Sequence, residues 1–240
     1  MIISGEFPFL EEKDHVISLV GAGGKTTLMY ALAKRFAAKV ARTLVTTTTH
    51  IYRPKGDMWA RSPEAIESLW RRGSYAVAGK PSGDGPAEKL TALPEQELNM
   101  YINMADIVLI EADGAKGMPC KAPAGHEPVI PEACDIVIGV MGMKAFGKPL
   151  EKVCFRPEEA CRLLEIAPTD ILTADRMARL LASEQGGRKN VGKREYYAVL
   201  NQCDLETDIR AAEQVRKALE GQGITRCILT CFNGAAEREG

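Results

Sequence analysis

The chain has almost no net charge. Its 31 Lys and Arg stand against 32 Asp and Glu, a formal charge of -1, so it projects no field of the kind that gathers nucleic acid or an anionic membrane surface. It has no apolar run near the ~20 residues that a membrane-crossing helix needs. Seven cysteines, at 120, 134, 154, 161, 203, 227 and 231, include no C-x-x-C pair. Their odd number and scattered spacing argue against a disulfide framework and for small buried hydrophobes or free thiols. The N-terminal stretch MIISGEFPFLEEKDHV has early acids, no basic start and no signal-type apolar core, and a cytoplasmic location is the expectation. Neither an internal repeat nor a low-complexity tract is present. What remains is an ordinary globular composition, 45% hydrophobic and 26% charged over 240 residues. It suits one α/β domain spanning 1–240.

The stretch VISLVGAGGKTTLMYAL, from Val16 to Leu32, organises the rest. An apolar strand at 16–20 meets the turn Gly21-Ala22-Gly23-Gly24. Lys25, Thr26 and Thr27 then open a helix with Leu28, Leu32 and Phe36 on one face. Glycines let backbone N–H groups turn toward an anion without a Cβ clash, and the helix N-terminus adds unpaired N–H groups and partial positive charge. Lys25 can reach outer phosphates and the Thr26 hydroxyl can ligate magnesium. The long form of the phosphate-binding motif would place glycine at 19, where this chain has Leu19. The shorter form here resembles the loops of Mur ligases and of some nucleotide-dependent metal-insertion and maturation proteins. A glycine turn can also be punctuation, but Lys-Thr-Thr behind a five-residue apolar strand favours a phosphate site.

The second signal is Ile107-Val108-Leu109-Ile110, four aliphatics that fit a strand buried on both faces of a parallel sheet. Glu111 and Asp113 stand at its end. A Walker B strand delivers its carboxylate to magnesium in this way. Asp113 is the expected metal residue, directly or through water, and Glu111 is expected on the same face to orient a water, hold Lys25 or hold a metal ligand. Residues 115–128, AKGMPCKAPAGHEP, follow directly. Their Gly and Pro content argues against any regular element and places them where a switch segment would lie. Lys116 and Lys121 are candidates for binding an anionic substrate, Cys120 for a soft nucleophile or ligand, and His126, with the lysines, for presenting charge to a substrate or partner in one nucleotide state. A solvated connector is the alternative.

Two further stretches carry open readings. Thr46-Thr47-Thr48-Thr49-His50 closes the apolar run 41–47. Thr49 and His50 are either a plain strand end or a meeting point for magnesium, phosphate or a second substrate. After the apolar run 196–200 comes Asn201-Gln202-Cys203-Asp204. GTPases carry N-K-x-D in this place, so Asn201 and Asp204 are candidates for base recognition, with Gln202 where the lysine would be. The alternative is a helix cap at Asp204 or Thr207. Helices are expected over 62–72, 94–104, 157–165, 174–183 and 206–220, and strands over 75–79, 135–140 and 225–229. Residues 1–15 read as a lead-in broken by Pro8. Residues 80–86 read as a surface turn or lid, and 184–194 as an exposed basic loop.

Taken together, VGAGGKTTLMYALA, TTTTHI, EADGAKGMPCKAPAGHEPVIP, FRPEE at 155–159 and LNQCD resemble the YqeC family, described as accessory factors for selenium-dependent molybdenum hydroxylases. The likeness runs from residue 20 to 204. Where the family usually has His-Arg-Pro-Glu this chain has Phe155, which is given no role, and Gln202 departs from the GTPase pattern. The resemblance implies a part in making or inserting a selenium cofactor, or in maturing the enzyme that holds it. A molybdenum hydroxylase or a selenium-delivery protein is then the implied partner.

The residues themselves argue for a three-layer α/β domain of phosphate-loop NTPase type with a mainly parallel sheet, binding ATP or GTP with magnesium. Hydrolysis in aid of metalloenzyme maturation is the first expectation. Transfer from ATP to a small anionic substrate is the second. A nucleotide-holding module without useful turnover is the third.

Overall fold

The computed structural model describes residues 2–5, 7–39, 41–54, 56–83 and 89–232. A nine-stranded sheet forms its centre. In chain order the strands are β1 (Ile2–Ser4), β2 (His15–Gly21), β3 (Thr43–Thr47), β4 (Trp59–Ala60), β5 (Ala76–Ala78), β6 (Ile107–Glu111), β7 (Ile136–Gly142), β8 (Glu195–Asn201) and β9 (Cys227–Thr230). Across the sheet they lie β1-β9-β8-β7-β2-β6-β3-β5-β4. Only β1 runs antiparallel, against β9. This is the expected mainly parallel α/β fold. Parallel pairing needs crossovers, and the helices supply them: α1 (Lys25–Ala37), α2 (Pro63–Arg71), α3 (Glu95–Met104), α4 (Pro157–Leu164), α5 (Ala174–Ala182) and α6 (Glu206–Glu220).

Strand alternation sorts the core into layers. Ile17 and Leu19 of β2, with Val45, Leu109 and Val199, pack on the face that carries α1 through Leu28, Leu32 and Phe36. Val16, Val20, Leu44 and Ile110 point the other way, to Ile66 and Tyr101 of α2 and α3. Further along the sheet, Ala198 and Leu200 meet Leu180, Ala212 and Leu219 of α5 and α6. The helix starts obey local rules. The Ser62 side chain accepts from Ala65 N–H, and Thr173 caps α5 through Arg176 N–H.

Residues 1–15 are more than a lead-in. Ile2–Ser4 adds the edge strand, and Pro8 opens a 3-10 turn, Pro8–Glu11, instead of breaking an element. Proline fits there because a first-turn N–H has no intrahelical partner anyway. Phe7, Phe9 and Leu10 are buried, with Phe9 edge-on to Tyr197 at 5.2 Å and stacked on Phe36 at 6.5 Å. Residues 80–86 are only partly a turn. Lys80–Pro81 pairs with Lys89–Thr91, which pairs with His50–Tyr52 in a small antiparallel sheet, while 84–88 lie outside the described residues. Residues 115–128 also contain regular structure, since Cys120–Lys121 pairs in parallel with Cys154–Phe155. In 184–194, Val191 is buried and Lys189 Nζ donates to the carbonyls of Ala124 and Gly125 at 2.5 and 3.0 Å, so this loop braces the one before β7.

At the far end of the sheet from the glycine loop, His15 is clamped between Asp135 Oδ2 (2.5 Å from Nδ1) and Glu12 Oε2 (3.0 Å from Nε2). Burial works against the charged ring, but the two carboxylates outweigh it and raise the His15 pKa above 6.5. Folding therefore favours protonated His15. This stabilisation is fully present below the unfolded pKa and is lost as pH rises through the raised folded value. The stability difference between the parent and His15→Gln is expected to be largest below the unfolded value of 6.5 and to shrink as pH rises above it. Urea unfolding of both proteins from below to above that value checks it, and a constant difference would remove His15 as the titrating group.

Candidate functional site

The glycine turn sits where β2 hands over to α1, and it is wedged against β7. Gly21, Gly23 and Gly24 have φ of 94°, 80° and 101°, values that L side chains rarely adopt. Space excludes a side chain too: a Cβ on Gly23 would lie 2.2 Å from Gly142 N, and one on Gly21 would lie 2.3 Å from Val140 O. The turn's own N–H groups are partly spent. Gly21 N–H donates to Asp113 Oδ2 at 3.0 Å, Ala22 N–H to Val140 O at 2.8 Å, and Gly23 N–H to Met118 O at 3.0 Å. Leu28 N–H is the first to reach back along α1, to Gly24 O at 3.0 Å. Gly24 has no side chain to cap the helix, so among the described residues the N–H groups of Gly24, Lys25, Thr26 and Thr27 are left for an anion.

Two contacts join the first motif to the second. The Thr26 hydroxyl donates to Glu111 Oε2 at 2.7 Å. Lys25 Nζ donates to Gly21 O at 2.6 Å and pairs with Asp113 Oδ1 at 3.1 Å. That Asp113 oxygen has the ion pair but no hydrogen bond of good geometry. These contacts follow from topology: β6 lies directly beside β2, with Leu19 opposite Glu111. Burial raises the Glu111 pKa, against the lowering influence of Lys25 and the Thr26 hydroxyl.

The carboxylate beside Thr26 is thus Glu111, whereas the sequence singled out Asp113 for the metal. Asp113 is locked further in, 2% exposed, between Lys25, the Gly21 N–H and Lys121. Lys121 departs from its expected role in substrate binding. Its ammonium is buried against Asp113 Oδ2 (3.0 Å), Glu127 Oε2 (2.7 Å) and Gly114 O (2.5 Å). Three acceptors saturate its three donors. Arg156 closes the row from outside, with Nη1 at 2.6 Å and Nη2 at 3.2 Å from the Glu127 oxygens. Burial would raise the Glu127 pKa, but the hydrogen bonds and charges of Arg156 and Lys121 overcome it and hold the carboxyl below its usual range. The row Arg156–Glu127–Lys121–Asp113–Lys25 therefore links the rim of the cleft to the glycine loop.

Cys120 also departs from expectation. Its thiol is fully buried, and a hydrogen bond with Cys154, followed by burial, raises its pKa well above the ordinary thiol value. Neighbouring residues on a strand point to opposite sides, so Lys121 does not lie beside the thiol. A nucleophile's role needs exposure and a lowered pKa, and this site offers neither.

The remaining expected residues divide between two places. Thr49, His50, Lys116 and His126 line one cleft of about 870 Å³ together with Gly23 to Thr27 and Glu111. The threonine run serves this cleft structurally. The Thr47 hydroxyl donates to Glu111 O at 2.9 Å, and the Thr48 hydroxyl to Val129 O at 2.7 Å. Asn201 and Asp204 lie on the other side of the loop. Asn201 Nδ2 donates to Gly23 O at 2.7 Å and its Oδ1 accepts from Thr230 at 2.8 Å, so it braces the turn. Asp204 pairs with Lys144 at 3.3 Å. Glu127, Arg156 and Lys89 were missed as site residues. The first two stood inside quoted motifs, Glu127 between His126 and Pro128 and Arg156 after Phe155. Lys89 had no sequence signal.

A family model described as YqeC protein matches residues 17–158. The chain belongs to the YqeC family. Its similarity extends to a protein of Escherichia coli (strain K12) named "Uncharacterized protein YqeC", 36% identical over an alignment of 193 residues that covers 75% of this chain and 73% of that one. In this YqeC chain the matched span runs from β2 to the start of α4. It includes the glycine turn, Glu111, Asp113, the whole 115–128 segment and Arg156. No helix among the described residues is long and apolar enough to cross a membrane.

Proposed function

We propose that this YqeC chain binds a nucleoside triphosphate with magnesium and hydrolyses it. The observation that carries the reading is the pair of contacts Thr26–Glu111 and Lys25–Asp113 at the start of α1. The oxygens fit magnesium, which is a hard cation that takes one or two protein ligands and fills its shell with water and phosphate. The Thr26 hydroxyl and the Glu111 carboxylate would hold it. Once bound, the ion would neutralise charge on the outer phosphates. Lys25 is within reach of the same phosphates, and the free N–H groups of the first helical turn orient them. Asp113 keeps Lys25 in place before nucleotide arrives, and Lys121 holds Asp113 when Lys25 moves to phosphate. The resemblance to accessory factors extends the reading to selenium cofactor biosynthesis, or to maturation of selenium-dependent molybdenum hydroxylases.

Transfer to a small anionic substrate is the second reading, favoured by Lys89 and Lys116, which line the cleft with no carboxylate within ion-pair distance among the described residues. Calorimetric titration with ATP and GTP, with and without magnesium, together with phosphate release, tests both. Magnesium-dependent binding with slow phosphate release is the expected result. A phosphorylated acceptor in place of free phosphate would favour transfer. Failure to bind either nucleotide would retire the site.

A further inference from the structure

The cleft is longer than the phosphate loop. Besides Lys25 and Glu111 it has a second lined half, His50 and Tyr52 on one short strand and Lys89 and Thr91 on its neighbour, and Lys116 lines the same cleft. We propose that this second half is a subsite for a phosphate-type dianion, either free phosphate or a phosphomonoester, next to the outer phosphate of a loop-bound nucleotide. The proposal rests on the reading of the loop as a triphosphate site.

Placement is the first argument. His50–Tyr52 follows β3, which lies on the β6 side of β2, whereas Asn201 and Asp204 follow from β8 across β7. The two candidate recognition regions therefore flank the loop from opposite sides. A base directed toward Asp204 leaves the His50 side for another molecule.

Charge is the second. Lys116 is exposed, and its ammonium lies 5.3 Å from the ring of Phe155, with no carboxylate within ion-pair distance among the described residues. Lys89 is half-buried with its ammonium 4.9 Å from the ring of Tyr52, and it too has no carboxylate within ion-pair distance among them. His50 and His126 are exposed in the same cleft and offer ring N–H donors. The acid at this end, Glu127, is already held by Arg156 and Lys121. Two ammonium groups lining one cleft, with no carboxylate within ion-pair distance among the described residues, favour an anion over a neutral ligand.

Donor geometry selects the class. A planar carboxylate is best held by the two-pronged fork of an arginine, and the fork of Arg156 is closed on Glu127. What is left are ammonium groups, which act as point charges from separate segments. Such donors suit a tetrahedral oxyanion with three outward oxygens.

The test is calorimetric titration of the full chain with inorganic phosphate, glycerol phosphate and acetate at constant ionic strength, first with magnesium and a non-hydrolysable triphosphate at saturation. Phosphate or its ester is expected to bind with the loop occupied, while acetate does not. Lys89→Ala and Lys116→Ala are each expected to weaken that binding roughly tenfold, as loss of one charge-assisted contact should. The tighter of the two phosphate probes identifies the source. Abolition of phosphate binding by the triphosphate, equal binding of acetate, or indifference to both lysine variants would overturn the subsite. If the triphosphate itself does not bind, the loop reading fails, and phosphate titrated without nucleotide decides the subsite alone. Dependence on Lys89 and Lys116 then supports it, and dependence on Lys25 alone overturns it.

Discussion

Lys25→Ala is expected to weaken triphosphate binding about 10- to 100-fold, from the ~1.5–3 kcal/mol that a hydrogen bond to a charged group contributes. Turnover should fall further, because charge on the transferring phosphoryl group goes without its nearest cation. The reason is local. Lys25 is 4% exposed, and among the described residues its ammonium contacts the Gly21 carbonyl and Asp113. Removing it leaves Asp113 with Lys121 and the Gly21 N–H, so the carboxylate is not stranded. The fold should therefore survive, and circular dichroism with nucleotide titration separates the two effects. Parent-like affinity and parent-like phosphate release in Lys25→Ala would retire the phosphate-loop reading.

Much of this site was legible because its physics is local. A glycine turn between an apolar strand and Lys-Thr-Thr needs no partner to be read, and neither do four aliphatics ending in Glu111 and Asp113. The mainly parallel pairing of the sheet then follows from βα alternation. What was not legible depends on chain segments that meet only in the fold. Period-two alternation placed Glu111 and Asp113 on one face, but it did not show that Lys121, ten residues beyond Glu111, would neutralise Asp113 and leave Glu111 beside Thr26. Cys120 read as a candidate soft nucleophile or ligand in a segment expected to lack regular structure. Its short strand turns it inward to Cys154 instead. The N-terminal segment looked idle because Pro8 suggested a break. Phe7 and Phe9 fill a hollow lined by α1 and β8, and no local pattern announces that contact.

Lys121→Met should be the most destabilising single change among the site residues. The ammonium is 1% exposed and stands between two carboxylates, Asp113 at 3.0 Å and Glu127 at 2.7 Å. Methionine keeps most of the volume, so packing loss is small and the charge effect dominates. Breaking a buried ion pair by removing one partner typically costs about 3–5 kcal/mol, since the other charge stays buried and uncompensated. That is a large part of the ~5–15 kcal/mol that holds a typical domain folded. The two acids are not equally exposed to the loss. Asp113 retains Lys25, and Glu127 retains the paired nitrogens of Arg156, so the cost belongs at the lower end of the range. Adding Glu127→Gln to Lys121→Met removes one of the two stranded charges and should recover part of the loss. Glu127→Gln alone leaves Arg156 without its partner and should cost less than Lys121→Met. Glu127 also gives the effect a pH signature. Its folded pKa is lowered, so its stabilisation is present above the unfolded value of 4.5 and is lost as pH falls through the lower folded value. In Lys121→Met that lowering weakens, and the acid-side loss of stability should begin at higher pH than in the parent. Urea unfolding of the parent, both single variants and the double variant, at neutral and acid pH, gives the coupling between the two positions. A Lys121→Met protein as stable as the parent, or a double variant no better than the sum of the singles, would mean that Lys121 is not the residue holding Asp113 and Glu127 together.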